Sequence, residues 1–429
     1  MNITEYLENG KYILPDDPKL QYCGRIGRGD NGMPEMVFPC SFIKWRFKGD
    51  SAAMIVNARR FYFDVFAGCF IDGVQYTVKL EPGMSRIELM RDNKVCCGQQ
   101  MYLTRLYENT GLDSAKSAEA DAGKNKKVPM ETVAGKIENA PMETAVQNGK
   151  GSEHEIMFFK RQDACNFIEI CGIELNEGAE LLGCAPLPEL KMEVYGDSVS
   201  AGEVSEALYC AGKPDPEGHE GLYSNSWYSY SWIAARKLNA QLHDIAQGGI
   251  PLLDGTGWYG SQEDLIGMES IYDKTRYSTD RKNSVKWDFS SYIPDVVVIA
   301  FGQNDAHPDD FMKILREAGC DGDDSESMEI AAARKKSDNW KKHYAGFLKQ
   351  LRTYYPNALI ICTTTILCHD STWDDAIGEA VDNINDPKIR HFLYSKNGSG
   401  TPGHIRANEA EEMAEELTGY IKIIMQIKM

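Results

Sequence analysis

The segment PDVVVIAF, residues 294–301, constrains the fold of this chain more than any other stretch. A Pro-Asp pair is followed by an unbroken, mostly β-branched apolar run, which leaves no polar face for solvent. A strand of that composition is buried on both sides, as in a parallel sheet covered by helices. The text around it alternates accordingly. Strand-like KMEVYG (191–196) is followed by helix-like SNSWYSYSWIAARKLNA (224–240) and by the short apolar QLHDIA (241–246). Beyond residue 301 the pattern predicts a helix from Ser327 to Tyr354, a strand at ALIICTTT (358–365) and a shorter helix near Trp373 to Asn383. A strand at IRHFLY (389–394) and a closing helix from about Asn408 to Gln426 complete the series. This βα alternation builds a parallel sheet with its site on the loops at the carboxyl ends of the strands.

The period is different upstream. FIKWRFKGD, FYFDVFAGCFIDG, VQYTVKL and SRIELMRDN, between about Phe42 and Leu106, alternate and turn like an antiparallel sheet, and Asp72-Gly73 is a hairpin signal. In VQYTVKL, Val74, Tyr76, Val78 and Leu80 share one face and Gln75, Thr77 and Lys79 the other, which predicts a half-buried strand. From about 108 to 153 apolar content collapses and a mobile insertion is expected. Strand-like text resumes at HEIMFFKRQDACNFIEICGIEL, so the insertion interrupts one sandwich. LLGCAPLPEL (181–190), with its two prolines, marks the boundary. The expected organisation is a β-sandwich over residues 1–185 and an α/β unit over 186–429.

Composition narrows the partners. There are 46 Lys+Arg against 64 Asp+Glu, a formal charge of −18, so nucleic acid is repelled and a neutral partner fits better. The opening residues lack the basic start and apolar run of a secretory signal, and no stretch is long and apolar enough to span a bilayer, which makes the expected location cytoplasmic. The 12 cysteines are scattered, partly inside apolar runs as in ALIICTTTILC, and form no CxxC pair. They read as reduced core thiols, neither a disulfide framework nor a metal site.

Three of the expected strands end in three motifs. Gly196-Asp197-Ser198 follows the first, IAQGGI with Gly249 the second, and FGQNDAH with Asn304 the third. A serine on a tight turn at the carboxyl edge of a sheet is placed to act as a nucleophile, although GDS alone is equally a helix cap. A serine amide, a glycine amide and an asparagine side chain can converge on the oxyanion of a tetrahedral intermediate. Asp197 and Asp305 are expected to brace their turns. A histidine, His404, lies in the glycine-rich GSGTPGHIRANEAEEM just ahead of the last helix.

GDS, the glycine after the second strand, GxND and the late histidine resemble the four blocks of the SGNH, or GDSL, hydrolase superfamily. YGDSVSAGE, SNSWYSYSWIAARKLNAQLHDIAQGGI and IPDVVVIAFGQND resemble carbohydrate esterase family 2, acetyl esterases with an N-terminal β-sandwich. The resemblance covers both units but not the insertion. It implies a three-layer, flavodoxin-like SGNH domain preceded by a jelly-roll-like sandwich. It also implies Ser198 as nucleophile, His404 as base, and the Ser198 amide, the Gly249 amide and the Asn304 side chain as the oxyanion hole. No metal or organic cofactor is called for. A helix N-terminus near His404 is expected to favour its neutral form.

The superfamily places an aspartate three residues before the histidine, where this chain has Thr401. A Ser-His dyad steadied by a backbone carbonyl is therefore expected over a triad completed by a distant aspartate. His307, three residues beyond Asn304, is an alternative base or a pocket-lining residue. Trp258 and Trp373, on carboxyl-end loops in polar surroundings, are expected to hold sugar, with Tyr259 and Trp287 nearby. The implied activity is removal of acetyl groups from manno- or xylo-oligosaccharides through a serine acyl-enzyme. Acetyl transfer to a sugar, or sugar binding by the sandwich beside an inert hydrolase domain, stay open as alternatives, as does oligomeric state.

Overall fold

The computed structural model describes residues 3–8, 10–98, 100–104, 106, 151–278, 284–321 and 327–427. Nearly all of the insertion expected over 108–153 lies outside the described residues.

Two seven-stranded antiparallel sheets occupy the N-terminal part. One runs in the order 94–95, 83–91, 52–60, 166–175, 34–36, 26–28, with Lys11–Ile13 also paired to Asn166–Leu175. The other runs 101–103, 74–80, 65–71, 152–160, 42–49, 180–182, with Gln21–Cys23 also paired to Phe42–Gly49. Their facing sides share one core that includes Ile43, Trp45, Phe47, Met54, Val56, Ile156, Phe158, Ile168 and Ile170. Alternation explains the burial: in Phe42–Gly49 the residues Ile43, Trp45 and Phe47 are buried while Phe42, Lys44 and Arg46 are only partly so.

The strand Val74–Leu80 departs from its expected half-burial. Val74 is exposed, whereas Thr77, on the opposite face, is buried and accepts from the Arg161 guanidinium at 2.5 Å. The reason is that the outer face of this sheet is covered by the α/β part. Phe70 packs on Trp227 with ring centroids 4.5 Å apart, and Phe159 meets Trp232 edge to face at 5.2 Å. Tyr228 donates to Gln75 at 2.9 Å. Sandwich and α/β part thus share a core containing Phe159, Cys40, Trp232 and Val194.

The α/β part has a five-stranded parallel sheet. Its strands, in chain order, are Leu190–Gly196, Ala240–Ala246, Val296–Ala300, Leu359–Thr363 and Ile389–His391, and in space they run second, first, third, fourth, fifth. All five residues of Val296–Ala300 are buried, as its unbroken apolar run requires. The long helix Met328–Tyr354 starts on Ser327, whose hydroxyl caps the Ile330 amide, and the closing helix is Ala407–Met425. The helix expected over 224–240 is shorter, Tyr230–Lys237, because Ser229 supplies the cap inside the segment. In this strand order the first strand lies between the second and the third, at the switch point where open α/β sheets form a crevice.

Candidate active site

Register brings the three motifs together. Gly196 is level with Ala246 on one side and Ala300 on the other, so the loops bearing Ser198, Gly249 and Asn304 leave the sheet side by side. Ser198 is the first residue of a short helix, Ser198–Ala201, whose cap is Asp197, accepting from the Val199 amide at 2.9 Å. Asp197 is fully buried, and burial pushes its carboxyl up to about 6 against the opposing effect of that bond. Asp305 braces the second loop, accepting from the Leu252 and Leu253 amides at 2.7 and 3.1 Å.

Gly249 has a left-handed backbone, φ +70°, and a Cβ there would lie 2.8 Å from the Cβ of Trp258. Glycine is what lets the loop turn beneath that tryptophan. Asn304 donates from Nδ2 to the Ile250 carbonyl at 3.0 Å and, more distantly, to Asp197 at 3.4 Å. Its amide therefore ties all three loops together, and the weaker of these bonds must yield for it to serve an oxyanion.

Ser198, Gly249, Asn304, His404 and Trp258 all line one cleft of about 1060 Å³. His404 differs from the expectation of a dyad. Its Nδ1 is 2.6 Å from Oδ2 of Asp215, whose Oδ1 accepts from the His404 amide at 3.0 Å and from Arg406 at 2.9 Å. Asp215 sits 189 positions earlier in the chain, in the loop AGKPDPEGHE. Thr401, standing where an aspartate was looked for, helps hold that loop: its hydroxyl accepts from the Gly212 amide at 3.1 Å. Gly403 permits the approach, since a Cβ there would meet Asp215 Oδ1 at 2.6 Å.

The other imidazole nitrogen, Nε2, faces Glu203 at 3.6 Å. Burial opposes charge on His404, but the carboxylates of Glu203, Asp215 and Asp197 outweigh it and push the imidazole up to about 9. The expected neutral form is thus corrected: three nearby carboxylates override the helix N-terminus. Asp215 is held well below the usual carboxylate range; burial works the other way and is overcome by His404 and Arg406. Burial lifts Glu203 to about 7, with His404 opposing and Asp163 reinforcing.

The aromatic assignments divide. Trp258 is 63% exposed at the cleft and stacks on His307 with ring centroids 3.4 Å apart. His307 therefore lines the wall of the cleft. Tyr259 lines it too, nearly buried. Trp373 is 0% exposed and cannot meet a sugar: it packs against Phe311 and Trp340 at 5.1 and 5.3 Å, with its indole N–H on Asp310. Of its polar neighbours in sequence, Ser371 and Asp375 are exposed, while Asp374 is buried beside it on Thr364 and His369. Trp287 lies beneath the guanidinium of Arg25, partly buried. Among the described residues no group of three or more His, Cys, Asp or Glu is arranged to hold a metal ion.

Asp215, Glu203 and the sandwich residues Tyr62, Phe63 and Asp163 also line the cleft, and sequence reasoning singled out none of them. The only local signal for Asp215 is its place between two prolines, a rigid acidic turn.

No family model matches the chain. Two curated relatives do. Cellulase/esterase CelE of Acetivibrio thermocellus is 27% identical over 283 residues, covering 64% of this chain and 30% of the relative. The acetylxylan esterase / glucomannan deacetylase of Cellvibrio japonicus is 26% identical over 252 residues, covering 58% of this chain and 61% of the relative. The matched segment thus spans less than two thirds of either relative's length. Among solved structures, a family two carbohydrate esterase from Clostridium thermocellum in complex with cellohexaose superposes with a TM-score of 0.65 at 20% identity, covering 95% of this chain and 99% of that one. The solved family two carbohydrate esterases from Clostridium thermocellum and Cellvibrio japonicus, the latter at a TM-score of 0.67 and 19% identity, share this chain's fold of two antiparallel sheets followed by a parallel α/β sheet.

Proposed function

We propose that this protein is a carbohydrate acetyl esterase that works through a serine acyl-enzyme. One observation carries the reading: a single cleft lined by Ser198, Gly249 and Asn304 also receives His404, whose far nitrogen is fixed by Asp215. In the proposed cycle His404 Nε2 takes the Ser198 proton as Oγ attacks the acetyl carbonyl. Asp215 fixes the tautomer and steadies the imidazolium. The Ser198 and Gly249 amides and Asn304 Nδ2 receive the oxyanion. His404 then returns the proton to the departing sugar alcohol, and water activated by the same imidazole releases acetate. No cofactor enters this cycle.

The substrates we propose are acetylated manno- or xylo-oligosaccharides, with Trp258 as the exposed platform for a sugar face. The likeness to the acetylxylan esterase / glucomannan deacetylase of Cellvibrio japonicus supports that class. We place the reaction in the cytoplasm, on imported oligosaccharides; the described cysteines, all free thiols, suit a reducing compartment. Mass spectrometry of acetylated oligosaccharides before and after incubation tests the substrate. Stepwise loss of acetyl groups is expected, and an unchanged spectrum beside active hydrolysis of an aryl acetate would remove carbohydrate from the proposal. Cell fractionation tests the location.

A further inference from the structure

The loop that carries Gly249 is anchored from outside the α/β part. The connection Lys160–Asn166, between the sandwich strands Ser152–Lys160 and Asn166–Leu175, brings Asp163 to the floor of the cleft, 8% exposed. Oδ2 of Asp163 accepts from the Gly248 amide at 2.8 Å and from Gln247 Nε2 at 2.6 Å, with the Tyr62 hydroxyl at 3.3 Å. Oδ1 accepts from the Cys165 amide at 2.9 Å, a local turn. Gln247 itself ties back to the first strand, its amide on the Gly196 carbonyl at 3.2 Å, and accepts from the Tyr277 hydroxyl at 2.7 Å. The connection is itself clamped: Lys160 Nζ donates to the Gln162 carbonyl at 2.7 Å, and Arg161 donates to Glu206 at 2.8 Å and to the Ser224 carbonyl at 2.9 Å.

We infer that Asp163 is a positioning residue for the oxyanion loop, so that the sandwich supplies a part of the esterase site itself. The inference rests on the proposed role of Gly249. Two glycines in succession, the second in a left-handed conformation, leave the direction of the Gly249 N–H poorly determined by the loop alone. A buried carboxylate bound to the preceding amide and to the preceding side chain removes that freedom, through charge-assisted bonds to groups that have no other solvent to turn to. Because Gly248 spends its amide on Asp163, the next N–H is the one left to face the cleft. Asp163 touches no reacting atom; it acts through the loop. Rate enhancement by an oxyanion hole depends on the donor direction being fixed before the charge develops.

The test compares Asp163→Ser and Asp163→Asn with the parental protein, each assayed on an aryl acetate well below its own melting temperature. Serine keeps a hydroxyl that caps the Cys165 amide two residues on but stops short of Gly248, so the local turn survives where Asp163→Ala would lose it. Asparagine keeps an oxygen within reach of Gly248. For Asp163→Ser, kcat is expected to fall about tenfold to a hundredfold with KM changed less than about twofold, the size of effect that a misdirected catalytic group produces. Asp163→Asn is expected to recover kcat to within about threefold of the parent, since its retained oxygen can still accept from the Gly248 amide. An Asp163→Ser protein with parental kcat, or one whose loss lies wholly in KM, overturns the inference. Ser198→Ala serves as the control: inactive, it leaves the esterase reading intact whatever Asp163 does; active at the parental rate, it removes that reading and this inference with it.

Discussion

Two imidazole–carboxylate pairs stand near the carboxyl edge of the sheet, and they are built for different ends. In the first, His404 puts Nδ1 on Asp215 at 2.6 Å and leaves Nε2 toward the cleft, with its side chain 24% exposed. In the second, His369 puts Nε2 on Asp374 at 3.0 Å and Nδ1 on the Leu367 carbonyl at 2.6 Å, with only 3% of its side chain exposed. Asp374 in turn accepts from Thr364 at 2.5 Å and from Asn397 at 2.7 Å. Both rings are raised above the ordinary histidine range against the opposing effect of burial, His369 by Asp374 and His404 by Glu203 and Asp215. A carboxylate partner and a raised imidazole therefore do not mark a base. A nitrogen left over for a substrate does, and only His404 has one.

That contrast can be broken by substitution. The largest effect is expected from His404→Ala, which should lower kcat on an aryl acetate by about 10⁴-fold or more when assayed well below its own melting temperature, itself lowered by loss of the pair with Asp215. Asp215→Asn should follow, with kcat lower by roughly a hundred- to a thousandfold, because the neutral amide steadies the imidazolium less and permits the wrong tautomer. A fall of less than about threefold for Asp215→Asn would return the site to the dyad expected from sequence.

Glu203 sharpens the contrast through pH. His404 must be neutral to accept a proton, and its value of about 9 means that in the free protein it is largely charged at neutral pH. The rate constant kcat/KM should therefore rise as pH increases from about 7, levelling above about 9. Stability has the opposite sign: a folded-state value raised above the unfolded one, about 6.5, stabilises fully below that pH and is lost as pH climbs through about 9. Glu203→Gln removes one of the attracting carboxylates and should move the ascending limb down by about one pH unit, roughly a tenfold gain at neutral pH. A limb that stays in place would show that Glu203 does not govern the base. The smallest catalytic effect is expected from His369→Ala: kcat within about threefold of the parent, with a stability loss of about 1–3 kcal/mol from buried polar groups left without their partner, read by denaturant unfolding.

What could be read in advance follows from how local the physics is. The parallel strands were legible because a strand buried on both faces writes its whole length in apolar residues, as Val296–Ala300 does. Helix ends written in capping residues were legible too, as at Ser327. The opening strands, Lys11–Ile13 to Pro34–Met36, are three residues each, too short to establish a period of two, and the sandwich therefore starts earlier than its first readable alternation at Phe42. Ser198, Gly249 and Asn304 each stand just past a strand end, so register alone assembles them. Asp215 and Asp163 reach the cleft through loop packing across long stretches of chain, which no spacing encodes, whereas Glu203 follows the Ser198 turn directly, its amide on the Ser198 carbonyl at 3.0 Å, and carried no motif of its own. Trp373 was misread because the polar residues beside it are partly solvent-facing, as Ser371 and Asp375 are, and partly spent on a buried pair, Asp374 with His369.

Ser198 is the proposed nucleophile, and every later step of the cycle depends on it. Hydrolysis of an aryl acetate by purified Ser198→Ala, run beside the parental protein and with thermal unfolding as a check on the fold, tests it most directly. No turnover above the uncatalysed rate is expected from a variant that melts like the parent; turnover at the parental rate would rule out Ser198 as the nucleophile.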